Sequence, residues 1–221
     1  MGARMLWRKT SSIALLAGAV LTAGAARVQA QPTQQAAHPQ AQRAADAGLF
    51  LAGGILALGM HEGGHLVFDV LFDAAPHLQR VDFGPFPFFA IAHRPDLSPR
   101  REFIVSSAGF WVQEATNEWL LTRRPALRHE HAPLAKGVFA FNVLTSIGYS
   151  GAAFAKAGPS ERDTRGMAAA IGVDERAIGA IVLAPALLDA YRYFVPGATW
   201  AKWASRIAKA GGVLIVIKVN R

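Results

Sequence analysis

Two histidines and a glutamate stand close together in an apolar part of the chain, in the run His61-Glu62-Gly63-Gly64-His65. His61 and His65 are four residues apart, so a helix projects both imidazoles from one face towards a single metal ion. Neutral imidazoles suit zinc, and two of them leave room for a third protein ligand and a water. Glu62 is placed to take a proton from that water and pass it to a leaving amine. Gly63 and Gly64 carry no side chains, so we expect the helix surface beside the metal to stay open to a substrate backbone.

The alternative is a chance match in which the two histidines only pack within a helix. The apolar segment from Leu49 to Phe72 is long enough to cross a bilayer. Three titratable side chains inside such a segment cost free energy unless the protein uses them. The sequence therefore favours a zinc site.

The composition is that of a membrane protein. The chain has 221 residues, which suits one domain; 52% are hydrophobic and only 17% are charged. The mean hydropathy is +0.23, and several apolar runs approach the length of a bilayer. We therefore expect the lipid bilayer to be one partner of the protein.

The basic charge does not indicate nucleic-acid binding. The net charge is +8, but the lysines and arginines lie mainly between apolar runs, where lipid headgroups would contact them. No RNA- or DNA-binding pattern accompanies them, so no nucleic-acid partner is expected. The chain has no cysteine, which excludes disulfides, thiolate metal ligands and cysteine nucleophiles.

The first 46 residues have the pattern of a targeting segment and a linker. Basic residues near the start precede an apolar stretch at 13–26 and the small-residue signature that ends at Ala30. We interpret 1–30 as a signal peptide cleaved after Ala30, with an uncleaved signal-anchor helix as the alternative. Residues 31–46 are polar and rich in Gln, Ala and Pro, so they predict a non-cytoplasmic linker. Residues 47–221 would form a membrane metallopeptidase-like domain.

Four segments of the remaining chain are predicted to span the membrane, namely 47–72, 103–121, 138–155 and 177–194. The tail at 200–217 is either an interfacial helix or a final short span. The predicted fold class is thus an all-α membrane bundle of four to five spans. Equal numbers of Lys and Arg in the first two loops leave the orientation undecided by the positive-inside rule.

A stretch rich in aromatic residues and prolines follows the histidine segment, at 81–95. Pro85 and Pro87 exclude a helix and a central strand, so we expect a short hairpin or a re-entrant loop. This stretch is either an aromatic belt at the membrane interface or an edge that pairs with an extended substrate by strand addition.

A two-histidine site needs a third protein ligand, and the residues alone leave several carboxylates open. Asp163 lies after the third apolar segment, and Asp189 lies inside the fourth. Glu114 and Glu118 share one helix face in the second. Each has a structural alternative: Asp163 as a loop acid near arginines, the glutamates as partners of buried polar groups, and Asp189 as a partner of Arg192.

The histidine motif inside an apolar segment resembles the site-2 protease group of intramembrane zinc metallopeptidases. Ser107-Ala108-Gly109 and Asn117 are similar to that group's Ala-Gly-Pro…Asn helix. Asn142 stands where the group often has an asparagine ahead of its aspartate ligand.

A closer resemblance is to small bacterial membrane proteins that are site-2-protease-like. The stretch from Arg162 to Ala168, followed by Ile171-Gly172-Val173, is similar to their pattern. This resemblance implies that Asp163 is the third zinc ligand.

The implied activity is that of a zinc metalloprotease that cleaves a membrane protein or peptide, in the bacterial cytoplasmic (inner) membrane. The candidates for supporting or substrate-contacting side chains are Asn142, Glu114 and Asn117.

Two other classes of function are consistent with the residues. One is a catalytically inactive metal-binding scaffold or regulator that retains the ligands. The other is a small transporter that uses intramembrane carboxylates and histidines as a relay. Such transporters usually have two related halves, and the sequence contains no internal repeat, so this class is the less favoured.

Overall fold

The computed structural model of the protein describes residues 39–83 and 86–219, and only the backbone of 81–83 and 86–89. The predicted signal segment at 1–30 and the first part of the linker lie outside these residues. The helix that carries the histidines begins at Pro39, within the segment predicted to be linker.

Helices make up most of the described part of the chain. The element order is α1 (Pro39–Leu71), β1 (His77–Phe83), β2 (Phe86–Ala92), α2 (Pro99–Arg123), α3 (Pro133–Ala155), α4 (Asp163–Ile171), α5 (Glu175–Phe194) and α6 (Thr199–Lys218). Among the described residues, α1, α3 and α5 are long and apolar enough to cross a membrane. The predictions of a mostly helical fold and of apolar helices of membrane-spanning length are therefore confirmed.

Local sequence explains several helix ends. α2 and α3 both begin with a proline, whose missing N–H costs nothing in the first turn of a helix. α5 is capped by Asp174, whose side chain accepts a hydrogen bond from the backbone N–H of Arg176. α4 ends at Gly172, which takes the left-handed conformation (φ 69°) that closes many helices.

The aromatic, proline-containing stretch after α1 forms an antiparallel hairpin. β1 and β2 pair from His77 with Ala92 to Phe83 with Phe86. Pro87 lies within β2 and cannot donate to a ladder, but each strand of a two-stranded sheet has a free edge, so the residue is tolerated. Of the two alternatives for this stretch, the backbone forms the short hairpin.

α1 and α3 are in close contact and run in the same direction, since Asp46 near the start of α1 lies beside His131 before α3, and His61 further along lies beside Tyr149 of α3. A Cβ on Gly53 of α1 would collide with the Leu134 carbonyl oxygen of α3, and one on Gly137 of α3 with the Phe50 carbonyl oxygen of α1. Small residues that let two backbones approach this closely are typical of helix pairs in membranes.

α2 runs in the opposite direction, so the loops collect at two ends of the bundle. At one end, the Gln79 amide of β1 donates to the Glu161 carboxylate in the α3–α4 loop, at 3.3 Å. At the other, Asp46 of α1 pairs at 2.8 Å with His131, which precedes α3. We call these the hairpin end and the opposite end.

Candidate metal centre

Three side chains converge on one small space beside α1. The Nε2 atoms of His61 and His65 are 3.2 Å apart. The Asp163 Oδ2 atom lies 3.1 Å from the first and 3.5 Å from the second. Ligand atoms at about 2.0–2.1 Å from one tetrahedral ion stand about 3.3–3.4 Å from each other. The three atoms therefore have the spacing of ligands on a single ion, and this group could hold a metal.

The hydrogen bond behind His65 fixes which of its nitrogens is free. Its Nδ1 atom lies 2.7 Å from the Val105 carbonyl oxygen of α2. A carbonyl only accepts, so Nδ1 carries the proton and donates it. In the neutral ring the Nε2 lone pair is then directed towards His61 and Asp163, which is the arrangement that metal-binding histidines use.

Packing around His61 leaves its ring little freedom. The imidazole is 2% exposed and lies against Gly109 of α2, where any Cβ would overlap it, with the nearest ring nitrogens at 2.6 Å. Phe110 contacts the ring edge to face, at 5.6 Å between ring centroids, and Tyr149 of α3 covers another side at 6.1 Å. Gly109 is thus required for the histidine to reach its position.

Asp163 is held by the start of α4. The preceding Arg162 is the N-cap of that helix, and its guanidinium donates two hydrogen bonds of 2.6 Å to the Glu175 carboxylate. Thr164 donates to the same carboxylate at 2.8 Å. These contacts to α5 fix the loop from both sides of Asp163, so its carboxylate is directed at the histidines.

The electrostatics of Asp163 favour a charged carboxylate. Burial by itself would raise the pKa of this group, but the two imidazoles, His65 foremost, outweigh it and hold the pKa well below its ordinary range. Deprotonation is the state in which an aspartate binds a metal.

Glu62 faces a cavity on one side of the three converging side chains. The cavity has a volume of about 450 Å³, and its wall includes Glu62, His61 and Tyr149. The carboxylate therefore shares an open space with one of the histidines, as a general base acting on a metal-bound water requires.

A second, smaller cavity of about 220 Å³ lies on the side of His65 and Asp163. Its lining is more polar and includes His93, which follows β2, and Glu102 of α2. The His93 Nε2 atom lies 2.8 Å from Glu102, and its Nδ1 atom 3.4 Å from the fully buried Asp69. The Glu102 bond raises the pKa of His93 against the opposing effect of burial.

Sequence reasoning missed this group. A signal was present for one member, because Asp69 is an acid inside the apolar run, one helical turn after His65. His93 and Glu102 carried no such signal, since they come from different elements that only the tertiary fold brings together.

The structure places the other proposed ligands away from the histidines. Asp189 accepts hydrogen bonds from Ser205 and Lys209 and forms a 3.1 Å ion pair with Arg192. The Glu118 carboxylate pairs with Arg192 at 2.6 Å and with basic side chains of α6. Both carboxylates thus join α6 to α2 and α5.

Glu114 belongs to the same region. The charges that act on it are those of Lys209 and Asp189. Glu114 is not a member of the group formed by His61, His65 and Asp163.

Asn142 and Asn117, the other candidates for supporting contacts, bond to each other. The Asn142 amide donates to the Asn117 side-chain oxygen at 2.9 Å and to the Gln113 carbonyl oxygen at 3.4 Å. Ser146 donates to the Gln113 side chain at 3.5 Å. These buried side chains form hydrogen bonds between α2 and α3, which is the role that polar groups take between membrane helices.

The two glycines of the histidine motif differ. A Cβ on Gly63 would meet nothing within 4 Å, so the surface there is open. Gly64 is buried, and its Cβ would lie 2.9 Å from the Ala108 carbonyl oxygen of α2. The expectation that both glycines leave the surface free is therefore wrong for Gly64, which allows α1 and α2 to pack closely.

The site thus combines three converging ligand atoms, an adjacent glutamate and two cavities of different polarity. Comparison of the chain with known protein families, with curated proteins and with solved structures finds no match.

Proposed function

We propose that the protein is a zinc-dependent intramembrane endopeptidase of the site-2-protease-like kind. The observation that carries this proposal is the spacing of 3.1–3.5 Å among the His61, His65 and Asp163 ligand atoms. A second observation supports it: Glu62 lines the same mostly apolar cavity as His61. The three ligands come from a helix apolar enough to cross a membrane and from the first residue of α4.

The donor set fits zinc, because two imidazoles and one carboxylate are among its commonest ligands and leave a fourth position open. Bound there, zinc would polarise a scissile carbonyl and lower the pKa of a bound water to about 7. Glu62 then accepts the proton of the attacking water and returns it to the leaving amine. The His65–Val105 hydrogen bond holds the imidazole in the required tautomer.

The proposed membrane placement has four to five crossings. Since α1 and α3 run in the same direction and are both apolar enough to cross, the chain must return between them, and α2 is the helix that returns. Its polar side chains face protein, as Asn117 does towards α3. α5 and α6 would be the fourth and fifth crossings, in what we propose is a bacterial inner membrane.

The proposed substrate is a membrane-embedded or membrane-proximal segment of another protein. His65 lies about 9 Å from the hairpin end of α1 at 1.5 Å per residue, so the site is near one face of the bilayer. A helical peptide bond is shielded by its neighbours, so the segment must unwind locally. The hairpin offers a free strand edge for such an extended segment, while an aromatic interfacial belt is the alternative role for it.

The decisive experiment combines metal analysis of the purified protein with cleavage of single-span test substrates. The wild type should bind about one zinc per chain, and His61→Ala and His65→Ala should each lose it. Glu62→Gln should keep zinc and lose cleavage, because the amide is nearly isosteric but cannot accept the proton. Glu130→Gln, in the loop before α3, is the matched control and should retain both.

Undiminished cleavage by Glu62→Gln would show that the chemistry lies elsewhere. Stoichiometric zinc without cleavage of any membrane substrate by the wild type would favour the metal-binding scaffold instead. Retention of zinc by both histidine variants would refute the site itself.

A further inference from the structure

The larger cavity has a wall made largely of small and apolar side chains. That wall is built by α1, β2 and α3 and consists of Leu58, Ala90, Phe141, Thr145, Gly148 and Ala152. His61, Glu62, Glu161 and Arg162 also line the cavity. Whatever fills the cavity therefore lies against the reacting centre.

The cavity is larger than a catalytic water requires. Its volume of about 450 Å³ is within the range of about 300–1,000 Å³ of ligand pockets. An apolar cavity of about 150 Å³ accepts benzene. The space thus accommodates a bulky aromatic or aliphatic side chain together with the backbone that carries it.

The two cavities differ in what they would bind. Most of the surface of the larger cavity is apolar, although Glu161 and Arg162 line both cavities, whereas the smaller one also presents His93, Glu102 and Ser106. The smaller cavity therefore favours water and polar groups, and the larger cavity favours apolar groups. The metal group lies between them, so a substrate that crosses it has an apolar side chain on the Glu62 side.

We propose that the larger cavity is the specificity subsite of the enzyme and takes one large apolar side chain of the substrate, next to the bond that is cleaved. This inference rests on the proposed function and adds to it the class of residue that the enzyme selects. Substrates with Leu, Phe or Trp at that position are favoured over those with Ala or a charged residue, because burial of apolar surface is the main favourable contribution to binding free energy in this cavity.

Gly148 determines how much room the subsite has. It lies on the cavity wall in α3, and a Cβ built on it would meet no atom within 4 Å. A leucine at this position would therefore fill the cavity without displacing backbone. Gly151, three residues further on, has equally open surroundings but is not part of the cavity wall, so it provides a control with the same change in helix propensity.

The test uses two small hydroxamates, which bind zinc through their two oxygens and differ only in the apolar arm. Acetohydroxamate has a methyl arm, and 3-phenylpropanohydroxamate carries a phenyl ring on a short chain. Their affinities for zinc-loaded protein are measured by calorimetry in one detergent, for wild type, Gly148→Leu and Gly151→Leu. Zinc content and thermal unfolding are recorded for each variant.

In the wild type and Gly151→Leu, the phenyl compound should bind about tenfold or more tightly than acetohydroxamate. In Gly148→Leu this preference should disappear, while the affinity for acetohydroxamate stays unchanged because the methyl arm needs no subsite. If Gly148→Leu does not fold, Ala152→Leu narrows the same cavity from the next turn of α3 and should have the same effect.

An equal preference for the phenyl compound in wild type and in both narrowed variants would overturn the subsite. A wild type without any preference would do the same, while leaving the metal centre and Glu62 as proposed. Failure of acetohydroxamate to bind, or absence of zinc, would instead refute the proposed function, and the subsite with it.

Discussion

Asp163 is the residue whose role depends most on tertiary contacts. It lies a hundred residues beyond the histidine motif in the sequence, yet its carboxylate is 3.1 Å from the His61 Nε2 atom. The histidine pair is evident from spacing alone, because four residues make one helical turn. The third ligand stands at no fixed spacing from the histidines. The residues alone therefore left four candidate carboxylates, and only the family resemblance favoured Asp163.

We therefore expect Asp163→Ala to weaken zinc binding as severely as the loss of a histidine, by more than about 100-fold, since it removes one of three protein ligands. Asp189→Ala is the control: it removes a buried carboxylate that bonds Ser205 and Lys209. It should lower stability but leave zinc affinity nearly intact, as should Glu114→Ala. Chelator competition measures the affinities. If Asp163→Ala binds zinc normally and one of the other two variants does not, the residue changed in that variant is the third ligand.

Gly109 provides a second prediction for a single residue. A Cβ at this position would overlap the His61 imidazole, so Gly109→Ala should displace the ring and reduce zinc affinity by about tenfold or more. Overpacking of this kind typically costs about 1–3 kcal/mol of stability. Gly63→Ala is the control, because its Cβ meets open space and alanine favours a helix by about 1 kcal/mol over glycine.

Chelator competition and thermal unfolding of both glycine variants check this prediction. Equal zinc affinity in Gly109→Ala and wild type would mean that the His61 ring has more freedom than its packing suggests.

At the level of elements, the hairpin is joined to the helices by His93. The residue follows β2 and contacts Glu102 of α2 and Asp69 of α1. The hairpin was foreseen as one of two alternatives, because two prolines exclude a helix. The contact between the hairpin and the helices was not predicted, since no local pattern shows that a histidine after a strand will contact acidic side chains from two helices.

The His93 contact predicts a pH dependence of stability. Its pKa is raised in the folded protein by the Glu102 hydrogen bond and by the charges of Glu102 and Asp69, against burial and the charge of His65. A raised pKa stabilises the folded state fully below the unfolded value of about 6.5, and the contribution is lost as pH rises through the folded value. The stability difference between wild type and His93→Gln should therefore be largest near pH 6 and shrink towards pH 9.

Thermal unfolding of both proteins in one detergent with chelator present, from pH 6 to 9, measures this difference. His77→Gln is the control, because His77 is exposed at the start of β1 and should show little pH-dependent difference. A constant difference for His93→Gln across this range would mean that its charge does not contribute.

At the scale of the whole molecule, each of the four predicted apolar segments coincides with one helix; most ends agree to within about five residues, but α1 begins eight residues earlier than predicted, at Pro39. The segment predicted at 103–121 lies within α2, although α2 itself is too polar to be identified as a span by composition. The contacts of α2 with other helices explain why it packs within the bundle. Asn117 forms a hydrogen bond with α3, and Glu118 forms ion pairs with α5 and α6. The polar side chains of α2 are thus paired with residues that are distant in the sequence, so they need not face lipid.

The direction of the helices leads to a prediction about the membrane. α1 and α3 are parallel and α2 returns between them, so the hairpin end and the opposite end should lie on opposite sides of the bilayer. The chain has no cysteine, so single cysteines can be introduced without background labelling. Cysteines at Asp96 and Ser160, at the hairpin end, should react with a membrane-impermeant maleimide from the same side. Cysteines at Ala126 and Gly197, at the opposite end, should react only from the other side, as the contact between Arg128 and the Phe194 carbonyl oxygen brings those two loops together.

Labelling is compared in intact vesicles and after permeabilisation, which shows that each cysteine is reactive once exposed. If Asp96 and Ala126 were labelled from the same side, α2 would not cross the bilayer. α1 and α3 could then not both cross in the same direction, and the proposed membrane placement would be wrong. Opposite labelling of the two ends would place His61, Glu62 and His65 within the bilayer about two to three helical turns from the hairpin side, where a substrate segment leaves the lipid.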